Sequence, residues 1–161
     1  MNNSIKLVSI LLILFYFILA NNIVFGQTVN NKFKIQKYEI IDDVNDIYSG
    51  EVNYSSDLLT GVRDGNFFVI LKLPLPEVKN NTIFISPKND FSSTTVNKNG
   101  LILRTKTYSN GVFTTINSAG KSLEKPERIA FIVTRAYKDG EFDHLLFAFK
   151  YKTAWLNFVC K

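Results

Sequence analysis

The sequence predicts an all-β domain, a mainly antiparallel β-sandwich of about eight strands, with a small closed β-barrel as the alternative. Three observations carry this reading. Asp64-Gly65, Asn99-Gly100, Asn110-Gly111 and Asp139-Gly140 are dipeptides that tolerate the positive φ a type I′ hairpin turn requires. Between and around them lie runs rich in Val, Ile, Phe, Tyr and Thr, the residues that suit a pleated, half-buried surface. Helical character is confined to "SAGKSLEKPER", and Pro126 limits it to about one turn.

Taken in order, the chain opens on a segment that is an address rather than a strand. Lys6 supplies a positive start, and Leu7 to Ala20 form an uncharged apolar stretch broken only by Ser9. That stretch is too short for a helix across a bilayer core, which needs about 20 apolar residues. Residues 1–26 are therefore expected to be a cleaved signal peptide, with Gly26 before the cut, and residues 27–161 to form one β domain. The expected location is secreted, periplasmic or on the cell surface, with no stable membrane span in the mature form. Removing 26 of 161 residues leaves 135, enough for one core, and takes the net charge from +5 to +4.

The β-rich runs follow: "KFKIQKYEI", "FFVILKL", "NTIFIS", "LILRTKTY", "VFTTIN", "RIAFIVTRAY", "HLLFAFKYK" and "AWLNFV". "LPLPEVKNN" reads as a crossing loop, because Pro74 and Pro76 cannot sit inside a central strand. Two turns give registers that can be compared. With Asn99-Gly100 as a two-residue loop, Val96 faces Leu103 and Thr95 faces Arg104. With Asn110-Gly111 as another, Tyr108 faces Phe113 and Lys106 faces Thr115. Both place Val96, Leu103 and Ile116 on one side, and Thr95, Arg104, Lys106, Thr115 and Asn117 on the other. The expectation is a three-stranded meander with an apolar inner face and a cationic outer one. The Asp139-Gly140 hairpin, with Val133 facing Leu146 and Ile132 facing Phe147, is apolar on both sides and is expected to be central.

The outer face of the meander is the best binding candidate. Arg104 and Lys106 suit a carboxylate, sulfate or phosphate, and Thr95, Thr115 and Asn117 suit hydroxyls. Tyr108, with Phe113, suits stacking on a sugar ring. His144 follows Asp143 and stands opposite Arg135 in the expected register, but no Gly-x-Ser-x-Gly or His-Glu-x-x-His motif accompanies this single histidine. Cys160, the one cysteine, alternates with Leu156 and Phe158 and is expected in the core, and Trp155 is expected as a core plug. "DGEFD" and "DDVND" are oxygen-rich, yet neither has the spacing of a calcium-binding loop, so no metal or other cofactor is expected. Sequons at Asn53 and Asn80 occur no more often than an Asn-, Ser- and Thr-rich chain produces by chance.

The expected function is a non-catalytic binding or interaction module, taking a glycan or protein partner. A carrier holding a hydrophobic ligand in a sandwich or barrel cavity is the alternative, and a small hydrolase using His144 the third reading. The modest, scattered charge excludes nucleic acid as a partner. No Gly-x-Trp signature of lipocalin barrels precedes the first strand, and polar runs such as "RTKTYSNG" fit an outer-membrane barrel poorly.

Overall fold

The computed structural model describes residues 31–42, 47–51, 56–74 and 81–161. The expected signal peptide, the sequons at Asn53 and Asn80, Pro76 and most of "DDVND" lie outside them. Among the described residues the strands are β1 (Asn31–Ile41), β2 (Ile47–Glu51), β3 (Asp57–Arg63), β4 (Asn66–Lys72) and β5 (Thr82–Pro87), then β6 (Ser92–Lys98), β7 (Leu101–Thr115), β8 (Glu127–Lys138), β9 (Glu141–Tyr151) and β10 (Ala154–Cys160). Among the described residues there is no helix long and apolar enough to cross a membrane.

Every strand pairing is antiparallel, and the sheet returns on itself. The path β1-β3-β4-β5-β7-β8-β9-β10 closes where β10 pairs with β1, from Ile35 opposite Cys160 to Ile41 opposite Trp155. β2 lies along β1 where β3 leaves it, and β6 lies along β7 where β5 leaves it. The all-β, antiparallel prediction holds, and its closed-barrel form is the one adopted. Two sandwiched sheets would leave four edges, whereas β1 is long enough to pair with β3 through Asn31–Lys34 and with β10 beyond it.

Three of the four turn dipeptides do what their residues suggest. Asp64-Gly65, Asn99-Gly100 and Asp139-Gly140 have positive φ at both positions, and each joins two directly paired strands. The pairs Val96–Leu103 and Thr95–Arg104 form as expected. Lys152, also at positive φ, begins a fourth tight turn that pairs Tyr151 with Ala154, and no Asn or Gly announces it.

Asn110-Gly111 is not a turn. β7 runs unbroken through it, with an irregularity against β8 between Tyr108 and Gly111. A Cβ on Gly111 would stand 2.7 Å from the Ile129 carbonyl oxygen and from Phe131 Cε1, so glycine is needed for close approach rather than for a turn. Asn110 instead donates from Nδ2 to Asp90 Oδ2 at 3.0 Å, tying β7 to the β5–β6 connection. The expected pairs Tyr108–Phe113 and Lys106–Thr115 therefore do not exist, since Tyr108 faces Phe131 and Lys106 faces Val133.

This changes which face is inside. Tyr108 is buried against Phe131 in the barrel lumen, so Arg104 and Lys106, four and two residues before it, share the lumen-facing side. Val96, expected to be internal, is exposed. A second irregularity, between Ala136 and Tyr137, shifts the β8–β9 hairpin by one residue. Val133 then faces Phe147 rather than Leu146, and His144 faces Ala136 rather than Arg135.

The lumen is filled mainly by aromatic rings. Phe84, fully buried, lies 4.6 Å from Phe149, 5.0 Å from Phe147 and 5.9 Å from Phe131 between ring centroids. Phe158 packs on Phe147 and Phe149, and Leu58, Val69, Leu71, Leu145 and Leu156 fill the gaps. Cys160 is fully buried there, and burial pushes its thiol pKa up to about 12, which keeps it a protonated, inert hydrophobe. Trp155 is not a core plug: it alternates with buried Leu156 and points to the outer wall, 37% exposed.

At the start of β3, Asp57 accepts a hydrogen bond from Lys34 Nζ at 2.6 Å and pairs with Lys32 Nζ at 3.0 Å. The Lys34 hydrogen bond, reinforced by Lys32, holds its carboxyl below the usual range against the opposing effect of burial.

Phe84→Ala is expected to destabilise the barrel by about 3–5 kcal/mol in chemical denaturation, a large share of a domain's usual stability. Gly111→Ala should cost about 1–3 kcal/mol through the clash with Ile129 and Phe131, and an unchanged denaturation midpoint would contradict the close approach. Asp57→Asn should cost about 1 kcal/mol at pH 7, the lysines being half exposed. Because the folded-state pKa is depressed, the carboxylate's contribution is present above the ordinary aspartate range and lost as pH falls through the lowered value. Parent and variant melting temperatures should therefore converge in acid.

Candidate functional site

The aromatic filling stops short of one end of the barrel. There a cavity of about 720 Å³ opens to solvent. Its floor is Tyr108, Phe67 and Val133; Tyr108 stacks on Phe131 at 4.8 Å and on Phe67 at 5.0 Å. One wall is the inward face of β6, β7 and β8, carrying Thr95, Arg104, Lys106, Arg135 and Tyr137. The opposite side brings Thr60 and Val62 from β3, with Lys88 and Phe91 from the β5–β6 connection.

The charges in this cavity are of one sign. Lys88, Arg104, Lys106 and Arg135 all line it, and no Asp or Glu among the described residues does. Arg104 and Arg135 are direct cross-strand neighbours, an arrangement that costs stability when both carry the same charge. Aromatic faces hold two of the cations in place: the Arg104 guanidinium lies 4.9 Å above the Tyr137 ring, and Lys106 Nζ lies 4.1 Å above Phe91. Burial raises the Tyr108 pKa, opposed by the nearby charge of Arg135, so its hydroxyl stays protonated at neutral pH. The Thr60 hydroxyl, in the same lining, is buried without a hydrogen-bond partner. The arrangement suits an anion with an apolar or planar body, the charge meeting the strand wall and the body meeting the floor.

Four of the six residues expected to bind come together here: Thr95, Arg104, Lys106 and Tyr108. Tyr108 serves as floor rather than as an exposed stacking platform, and Phe113 is occupied by Phe84 and Tyr151. The other two line a different part of the fold. Thr115 Oγ1 donates to Glu124 Oε2 at 3.4 Å, and Asn117 Oδ1 accepts from the backbone N–H of Ala119 at 3.0 Å and of Lys121 at 2.9 Å, shaping a turn. Sequence reasoning missed Arg135, Tyr137, Thr60 and Lys88. Arg135 was within reach, since it alternates with Val133 and Tyr137 in one strand, but only the β7–β8 register sets it against Arg104.

His144 stands apart from the cavity. Its Nδ1 lies 2.5 Å from Asp143 Oδ2, and this hydrogen bond is the main reason that the Asp143 carboxyl is held below its usual range. No three His, Cys, Asp or Glu side chains among the described residues gather into a metal-binding set. A second groove of about 530 Å³ crosses the outer wall over Ile132, Leu146, Ala148 and Val159.

Compared with protein-family models, curated proteins and solved structures, the chain matches none of them.

Proposed function

We propose that this is a non-catalytic binding protein, acting after export, that takes a small anionic, partly apolar ligand into the mouth of its barrel. One observation carries the reading: a concave site of about 720 Å³ whose lining, among the described residues, holds four cations, no carboxylate and an aromatic floor. A protein partner is better served by a flat or protruding surface, whereas a cavity of this size suits a small molecule. A carrier of neutral hydrocarbon is less well served. The deeper lumen is already filled by Phe84, Phe131, Phe147 and Phe149, and the space that remains is walled by charge. A neutral ligand would take water from those cations and give nothing back. The Leu7–Ala20 stretch supports delivery to the envelope or medium.

The test uses two fluorescent probes of similar size, the anionic 1-anilinonaphthalene-8-sulfonate and the neutral N-phenyl-1-naphthylamine. The parent protein should bind the sulfonate more tightly, and added salt should weaken that binding. Arg104→Gln with Arg135→Gln should lower sulfonate affinity by about tenfold or more, the loss of roughly one charge-assisted hydrogen bond, and leave the neutral probe unchanged. Equal affinity for both probes in parent and variant would overturn the reading.

A further inference from the structure

We infer that Arg104, Arg135 and Lys106 form a subsite for the doubly charged phosphate of a phosphate monoester whose apolar or aromatic body rests on Tyr108, Phe67 and Phe91. The inference rests on the proposed binding function and deepens it by naming the charged group. Arg104 and Arg135 are opposed on adjacent strands, and Lys106 follows Arg104 on the same face, next to Val133. Three cations thus share one wall, with no carboxylate among the described lining residues to divide them.

A carboxylate is planar and singly charged, and one guanidinium satisfies it through two parallel hydrogen bonds. It would leave the second arginine facing like charge. A tetrahedral dianion presents three terminal oxygens in different directions and enough charge to offset two cations at once. The Arg104 guanidinium carbon lies 4.9 Å from the Tyr137 ring centroid, and the ring face supports the cation at the wall. Lys106 sits over Phe91 at the wall's edge as a compact point charge.

Hydroxyls extend the same surface. Thr95 is the cross-strand neighbour of Arg104 on the other side of β7, and Ser93 is that of Lys106. The buried, unpartnered Thr60 hydroxyl belongs to the same lining. Two opposed arginines are unfavourable in the empty protein, and one phosphate group supplies acceptors to both. The aromatic floor gives the ester's body a place that inorganic phosphate cannot use.

Calorimetry on the full-length mature protein at pH 8 tests this with phenyl phosphate, phenyl sulfate, benzoate and inorganic phosphate. Phenyl phosphate should bind about tenfold more tightly than each of the other three. Arg104→Gln and Arg135→Gln, which keep most of the side-chain length, should each abolish that preference, with circular dichroism unchanged. Lys106→Gln, on an exposed side chain, should reduce phenyl phosphate affinity several-fold and serves should either arginine variant fail to fold. Lys121→Ser, outside the cavity, should leave all four affinities as they are. Benzoate or phenyl sulfate binding as tightly as phenyl phosphate would overturn the dianion subsite. Inorganic phosphate binding as tightly would overturn the role of the ester's body. If the anionic naphthalene probe still requires Arg104 and Arg135 while phenyl phosphate shows no preference, only this inference fails. If neither probe nor phosphate depends on them, the binding function fails with it.

Discussion

The bore of a closed eight-stranded barrel is the constraint on which the rest of this structure depends. Once β10 pairs with β1, the lumen has a fixed width, just enough for side chains to fill or for one small ligand to enter. Over most of its length the chain fills it, with Phe84 at the centre of rings from β7, β8 and β9. Near one end the inward residues become Arg104, Lys106, Arg135 and Thr95, which reach towards water instead of meeting at the axis. Packed core and open cavity are thus two uses of one inward face.

What separates these uses along β7 is a local irregularity. Before it, Tyr108, Lys106 and Arg104 point inward; after it, Phe113 does, stacked on Phe84. The parity changes because the chain shifts by an extra residue against β8, and Gly111 permits this by leaving room for Ile129 and Phe131. The same position is where β7 exchanges β6 for β5 as its neighbour. A comparable slip between Ala136 and Tyr137 places His144 opposite Ala136, away from the cationic wall, with Asp143 as its hydrogen-bonding partner.

The electrostatics at two places in the barrel differ in kind, attractive at one and repulsive at the other. At Asp57 one carboxylate meets two lysines, so charge supports the join between β1 and β3. In the cavity, cations face cations, and among the described residues the rings of Tyr137 and Phe91 offer them compensation. An arrangement that costs stability on its own is the kind that a bound anion makes favourable, which is why the proposed ligand is negatively charged.

The sequence by itself determined the strand class, three tight turns and the amphipathic pairing of β6 with β7. Each of these is a local property: Asp-Gly and Asn-Gly at positive φ, and side chains alternating with period two. It also marked Thr95, Arg104, Lys106 and Tyr108 as sharing one face, since that follows from alternation within a hairpin. Which side that face would turn to was beyond it. A polar, cationic face reads as solvent-facing, and only closure through β1 and β10 shows it to be the lumen wall near an opening. Asn110-Gly111 has the composition of a turn, and nothing local distinguishes a glycine that bends the chain from one that lets Phe131 approach. Thr115 and Asn117 parted from the other four for that reason. Arg135, Lys88 and Thr60 joined the site because strands distant in sequence become neighbours around a barrel, a relation set by register and closure rather than by any residue's own preference.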